Sequence, residues 1–189
     1  MSVGLTLLGL SLLPASVTAE TTLSFSPLPG SRVERQVLSW RELRDKGVVK
    51  QNYDYSCGSG ALATLMRLGF GDEVSEEEII FLLIQDKTAA ELEEIEKKGY
   101  SLLDLKQVAE KKGYIAVMYK LQIKHLYQLK GPVLIYLEPE GQRHFSVLKE
   151  ARGDRVYLAD PAKGNIRIGL YRFQKEWPGI ILAIDKVHH

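Results

Sequence analysis

Apolar positions along this chain recur with two different periods, and the change falls near residue 113. In the first part they return every three to four residues, the spacing of helices with one buried face. Ala61, Leu62, Leu65, Met66 and Leu68 predict a helix that starts at Cys57, is capped by Ser56 and ends at Gly69. Ser75-Glu76-Glu77-Glu78 has the form of a capping box in front of Ile79, Ile80, Leu82 and Leu83. Further helices are expected over residues 40–46, closed by Gly47, over 89–97, and over 102–112, opened by Ser101 with Asp104 and stopped by Gly113.

Beyond residue 113 this pattern gives way to short apolar runs separated by turn residues. Residues 114–119, 133–137, 145–149, 155–159, 166–168 and 179–184 read as strands, with one short helix around 124–129. The runs 145–149 and 155–159 should pair as a hairpin about Gly153-Asp154. A helical first half followed by a sheet-rich second half predicts an α+β fold, helices packed on an antiparallel sheet. The 189 residues suffice for one sizeable core and are few for two.

The first nineteen residues differ from the rest. Residues 5–13 are apolar apart from small residues, and Pro14 and then Val17-Thr18-Ala19 follow. This is the layout of an h-region, a helix breaker and a small-residue cleavage site, so residues 1–19 are expected to be a signal peptide and the mature chain to begin near Glu20. No Lys or Arg precedes the run, which leaves an uncleaved helix as the other reading. The run is too short to span a bilayer, so no membrane span is expected in the mature chain. Residues 20–45, with Pro27, Pro29 and Gly30, read as an N-terminal arm.

Charge narrows the partners. The formal net charge is +1 and no Lys/Arg run is present, which argues against nucleic acid or an anionic membrane surface. The single cysteine excludes an intramolecular disulfide, and in an exported chain a lone thiol is a liability unless it is inert or used.

Cys57 stands at a helix start, where unpaired N–H groups and the helix dipole favour a thiolate. Gly58 and Gly60 beside it either leave room for a substrate backbone or serve close helix packing. A nucleophilic thiol needs a base. Of the four histidines, His188 and His189 end the chain and His125 lies among lysines. His144 opens a strand after a polar turn, where a histidine can face a cleft or serve a structural or solvent-facing role. In the expected hairpin it comes near the end where Asp160 precedes Pro161, and a carboxylate there can fix one imidazole nitrogen. Asp-Pro also starts turns without any catalytic role. Gln51, one loop before Cys57, can offer its amide to an oxyanion alongside the Cys57 backbone N–H. One Cys with scattered His gives no zinc-ligand spacing, so neither metal nor cofactor is expected.

Four stretches in order resemble peptidase family C39, the bacteriocin-processing, papain-like cysteine peptidases. They are Gln51-Asn52-Tyr53-Asp54-Tyr55-Ser56-Cys57-Gly58, Ser101-Leu102-Leu103-Asp104-Leu105, His144-Phe145-Ser146-Val147-Leu148 and Leu158-Ala159-Asp160-Pro161-Ala162-Lys163-Gly164. The resemblance spans residues 48–184 and implies a papain-like peptidase domain over 46–187. It implies Cys57 as nucleophile, His144 as base, Asp160 as its orienter and Gln51 in the oxyanion hole. It implies an exported polypeptide as substrate, cleaved in this family typically after a Gly-Gly pair ending a leader, and an outer-membrane or ABC export apparatus as partner. The sequence carries neither membrane helices nor a phosphate-binding loop, and so looks more like the stand-alone, signal-bearing members of Gram-negative bacteria, some tied to export of functional amyloids. Their location is periplasmic or otherwise exported. Ser56 stands where transporters often have an acid, and Ala61 where a second cysteine often follows. Two other readings share the scaffold: a catalytically silent module that binds export substrates, and an amidase or acyltransferase.

Overall fold

The computed structural model describes residues 22–25, 28 and 33–186. They fall into two compact units, one ending at residue 39 and one starting at Trp40. In the first, strands β1 (Thr22–Phe25) and β2 (Val33–Gln36) pair antiparallel, with Thr22 opposite Gln36. The segment expected to be an extended arm therefore carries a hairpin. The expected signal peptide, residues 1–19, lies outside the described residues.

The second unit opens with α1 (Trp40–Asp45), followed by four helices: α2 (Cys57–Phe70), α3 (Glu76–Ile84), α4 (Ala89–Lys98) and α5 (Leu102–Lys111). Then come β3 (Tyr114–Lys120), α6 (Ile123–Leu126), β4 (Val133–Leu137), β5 (His144–Arg152), β6 (Arg155–Asp160), β7 (Gly164–Gly169), α7 (Leu170–Glu176) and β8 (Ile180–Lys186). The six strands of this unit form one antiparallel sheet in the order β3-β8-β4-β5-β6-β7. The α+β expectation holds.

Two details depart from the sequence reading. Gly69 does not end α2; the helix runs to Phe70 and closes on Gly71, whose left-handed backbone (φ 71°) lets its N–H donate to the Arg67 carbonyl. The turn is held there because Phe70 packs edge-on against Tyr114 of β3, 5.1 Å between ring centroids. Helix α7 was not expected, although Leu170, Phe173 and Trp177 have helical spacing; Phe173 is fully buried against Trp177.

Period-two alternation divides the apolar residues of the sheet between two cores. On one face Leu134, Phe145, Val147, Ala159 and Leu182 meet α2, α3 and α5 through residues such as Leu62, Leu65, Ile79 and Leu105. On the other, Val133, Ile135, Leu137, Leu148, Leu158 and Ile181 meet Leu126, Phe173 and Trp177. The central strand β4 is consequently apolar at nearly every position. Among the described residues no helix is long and apolar enough to cross a membrane.

Candidate active site

Two glycines in its first turn, Gly58 and Gly60, let helix α2 approach the sheet closely. A Cβ on Gly58 would stand 3.1 Å from Leu105 and 3.2 Å from Phe145, and one on Gly60 would stand 2.9 Å from the Pro161 ring. Both positions therefore serve close packing. The contact with Pro161 brings the N-terminal end of α2, with Cys57, against the turn that begins at Asp160. Cys57 is a free, partly exposed thiol.

The hairpin supplies the other two groups. Val147 pairs with Ala159, so Asp160 falls opposite Ser146 and diagonal to His144 on the same side of β5. His144 Nε2 lies 2.7 Å from Asp160 Oδ2. The second carboxylate oxygen, Oδ1, accepts the backbone N–H groups of Ala162 at 3.0 Å and Lys163 at 2.9 Å. Asp160 is thus both a turn-starting Asp and the partner of an imidazole: one oxygen for each task. It is 2% exposed and His144 is 17% exposed, so the pair sits away from bulk water.

Burial alone would lower the His144 pKa, but hydrogen bonds to Asp160 and Cys57, together with their charges, outweigh it and raise it to about 9. Burial pushes the Asp160 carboxyl up, yet the hydrogen bond and charge of His144, with the two backbone N–H groups, bring it below the ordinary aspartate value. With Nε2 held by Asp160, Nδ1 is the ring nitrogen left for the thiol. The structure brings Cys57, His144 and Asp160 into one cluster.

Gln51 is tied to the same turn by its backbone, whose N–H donates to the Pro161 carbonyl at 3.1 Å. Its amide nitrogen donates to the Tyr53 carbonyl at 2.9 Å, which occupies one of its two hydrogens, and its Oε1 is buried without a partner. Ser56 does not cap α2 through its side chain. Its hydroxyl instead meets Glu76 and Tyr53, a departure from the expected cap and a sign that Glu76 does more than open α3.

A cleft of about 440 Å³ opens beside Cys57. Tyr55, Tyr100 and Phe145 give it an aromatic lining, and Lys97, Lys98 and Arg143 give it a basic edge. Tyr53 stacks on Tyr55, 5.5 Å between centroids, which meets Tyr100 edge-on. Among the described residues no group of three His, Cys, Asp or Glu side chains stands where it could hold a metal ion.

A thiol at a helix start, facing an imidazole and carboxylate on neighbouring strands of an antiparallel sheet, defines the papain-like cysteine peptidase class. The chain belongs to the Peptidase C39 family, which it matches over residues 45–189. It is 38% identical over 179 residues to the probable functional amyloid protease FapD of Pseudomonas aeruginosa, a match covering 94% of this chain and 78% of that protein. The corresponding protein of Pseudomonas fluorescens is 36% identical, with 86% of this chain and 71% of that one covered. In structure the chain is similar to the peptidase domain of Streptococcus ComA, a bi-functional ABC transporter, with a TM-score of 0.63 at 20% identity over 74% of this chain and 98% of that domain. A double glycine motif protease from an AMS/PCAT transporter, determined with its leader peptide, gives a TM-score of 0.54 at 23% identity, over 74% of this chain and 91% of that one. These two structures bear on the fold alone. The chain is a cysteine peptidase of this family.

Proposed function

We propose that this peptidase processes an exported polypeptide, of the kind handled in functional-amyloid export, by cleavage after a Gly-Gly leader. The observation that carries the mechanism is the 2.7 Å contact of His144 with Asp160 while the same ring meets Cys57. In this reading Cys57 Sγ attacks the scissile carbonyl carbon, and the resulting oxyanion is met by the Cys57 backbone N–H and an amide hydrogen of Gln51. His144, charged by taking the thiol proton, returns it to the leaving amine as the C–N bond breaks. Water then attacks the thioester, His144 accepts its proton, and release of the carboxylate restores the thiol. Asp160 holds the ring in place and stabilises its charged form throughout.

The family relatives named above support an export setting. Residues 1–19 act in this proposal as a cleaved signal, placing a mature chain that starts near Glu20 in the periplasm, with the peptidase domain over residues 46–187 behind an arm. The expected result is a single cut, read by mass spectrometry after incubation with co-exported polypeptides, together with a mature N-terminus near Glu20 in envelope fractions. Intact polypeptides after prolonged incubation would count for the binding-module reading.

The pH profile tests the His144–Asp160 pairing. His144 must be charged to protonate the leaving amine, and its pKa is raised to about 9, so activity should persist through neutrality and fall as pH rises through about 9. Asp160→Asn removes the charge that favours imidazolium, while burial, which acts the other way, remains. The alkaline limb should therefore move to lower pH, towards the ordinary histidine value of ~6.5. A limb that stays in place in Asp160→Asn would sink the pairing.

A further inference from the structure

The loop joining Gln51 to Cys57 is gripped at both ends by one acidic side chain that the peptidase chemistry leaves unused. Glu76, the first residue of α3, is 1% exposed. Its carboxylate accepts the backbone N–H of Asn52 at 3.0 and 3.2 Å and the Ser56 hydroxyl at 2.5 Å. Asn52 directly follows Gln51, and Ser56 directly precedes Cys57. The neighbouring Glu77 adds a hydrogen bond from the Asn52 side chain at 3.1 Å. The partners of Glu76 are a backbone N–H and a hydroxyl rather than a cation. A buried carboxylate held by neutral donors is costly, and a polar but uncharged residue would ordinarily serve a loop of this kind.

The same contact explains why Ser56 leaves α2 uncapped. A serine at this position usually turns its oxygen onto the first-turn N–H groups of the helix. Here the hydroxyl points to Glu76 and accepts the Tyr53 N–H at 3.2 Å, while the Ser56 carbonyl accepts from Ser59 Oγ at 2.7 Å. The N–H groups of Gly58 and Ser59, which a capping serine would take, are therefore not taken by the Ser56 side chain.

We propose that Glu76 is a positioning residue of the peptidase. By holding both ends of the loop it sets the Gln51 amide relative to Cys57 and its backbone N–H. The proposal rests on the peptidase reading and its oxyanion assignment. Glu76→Gln puts an NH2 group against one of the two donors, releasing one grip at nearly constant volume. In the full chain kcat should fall about 10-fold or more with KM within about twofold, because misplacement by around 1 Å of groups acting in the transition state has costs of this size or larger. Circular dichroism should show a folded protein at the assay temperature. In a double-mutant cycle with Gln51→Ala the two losses should fall well short of multiplying, since each acts on the same donor.

A purely structural Glu76 would give losses that multiply in full. That result, or a folded Glu76→Gln with unchanged kcat, overturns the proposal. Should Glu76→Gln fail to fold, Ser56→Ala removes the hydroxyl end of the grip alone, and a several-fold drop in kcat is expected; an unchanged kcat overturns it equally. If the wild type cuts nothing, the peptidase reading has failed on its own. The positioning of Cys57 is then read from its alkylation by iodoacetamide at neutral pH. Glu76→Gln should slow that reaction several-fold, and an equal rate overturns the proposal.

Discussion

Replacing Cys57 or His144 by alanine will remove turnover and leave a folded protein. In the proposed mechanism each is one member of a unit whose parts act together, so either loss should cost on the order of 10⁴-fold in kcat or more. Stability should suffer little by comparison. Cys57 is partly exposed and loses only its sulfur. Without His144 the buried Asp160 keeps the two N–H groups of Ala162 and Lys163 on Oδ1 and leaves only Oδ2 unpaired, a cost of ~1–3 kcal/mol. Mass spectrometry of the cleaved substrate gives the rate, and circular dichroism with thermal melting gives the fold. A Cys57→Ala chain that supports export as well as the wild type, from a wild type that cuts no co-exported polypeptide, would transfer the site to substrate binding.

Gln51→Ala should lower kcat by ~10²–10³-fold with KM nearly unchanged, because an oxyanion donor acts mainly in the transition state. The packing consequences of this change are small. Gln51 Oε1 already lacks a partner, and truncation frees only the Tyr53 carbonyl that its amide nitrogen meets. The backbone bond from Gln51 to Pro161 survives the substitution, so the loop should stay against the Asp160 turn. Steady-state kinetics on a defined peptide separate the cases. A KM raised tenfold at constant kcat would make Gln51 a ground-state binding residue and remove it from the oxyanion hole.

The parts of this molecule that were legible in the sequence are those governed by local period. The hairpin of β5 and β6 follows from alternation about a Gly-Asp turn, and once it is drawn His144 and Asp160 share one end. Helix α5, with its capping box at Ser101 and Asp104, reads equally well because its signals lie within one turn. What stayed hidden depends on residues far apart in the chain. Glu76 reads as helix-capping acid, and only the approach of residues 52 and 56, twenty-four and twenty positions earlier, shows where its carboxylate turns. Gly58 and Gly60 are ambiguous until Leu105, Phe145 and Pro161 are seen against them. Ser56 has the right residue type for a cap and is drawn away by a stronger acceptor. The hairpin of β1 and β2 falls in a Pro- and Ser-rich segment whose local signals favour a linker.

The strand order has a consequence for how the chain reaches this state. Strand β8, the last of the described chain, lies between β3 and β4. Tyr114 waits for Lys186, and Leu134 for Leu182, so two ladders stay open until the C-terminal segment has been synthesised. Pairings of such wide separation are slow to find, because loop closure is opposed by chain entropy before any contact compensates it. The helices and the consecutive ladders β4-β5-β6-β7, which carry His144 and Asp160, can form early, but β3 cannot join the sheet until β8 is made.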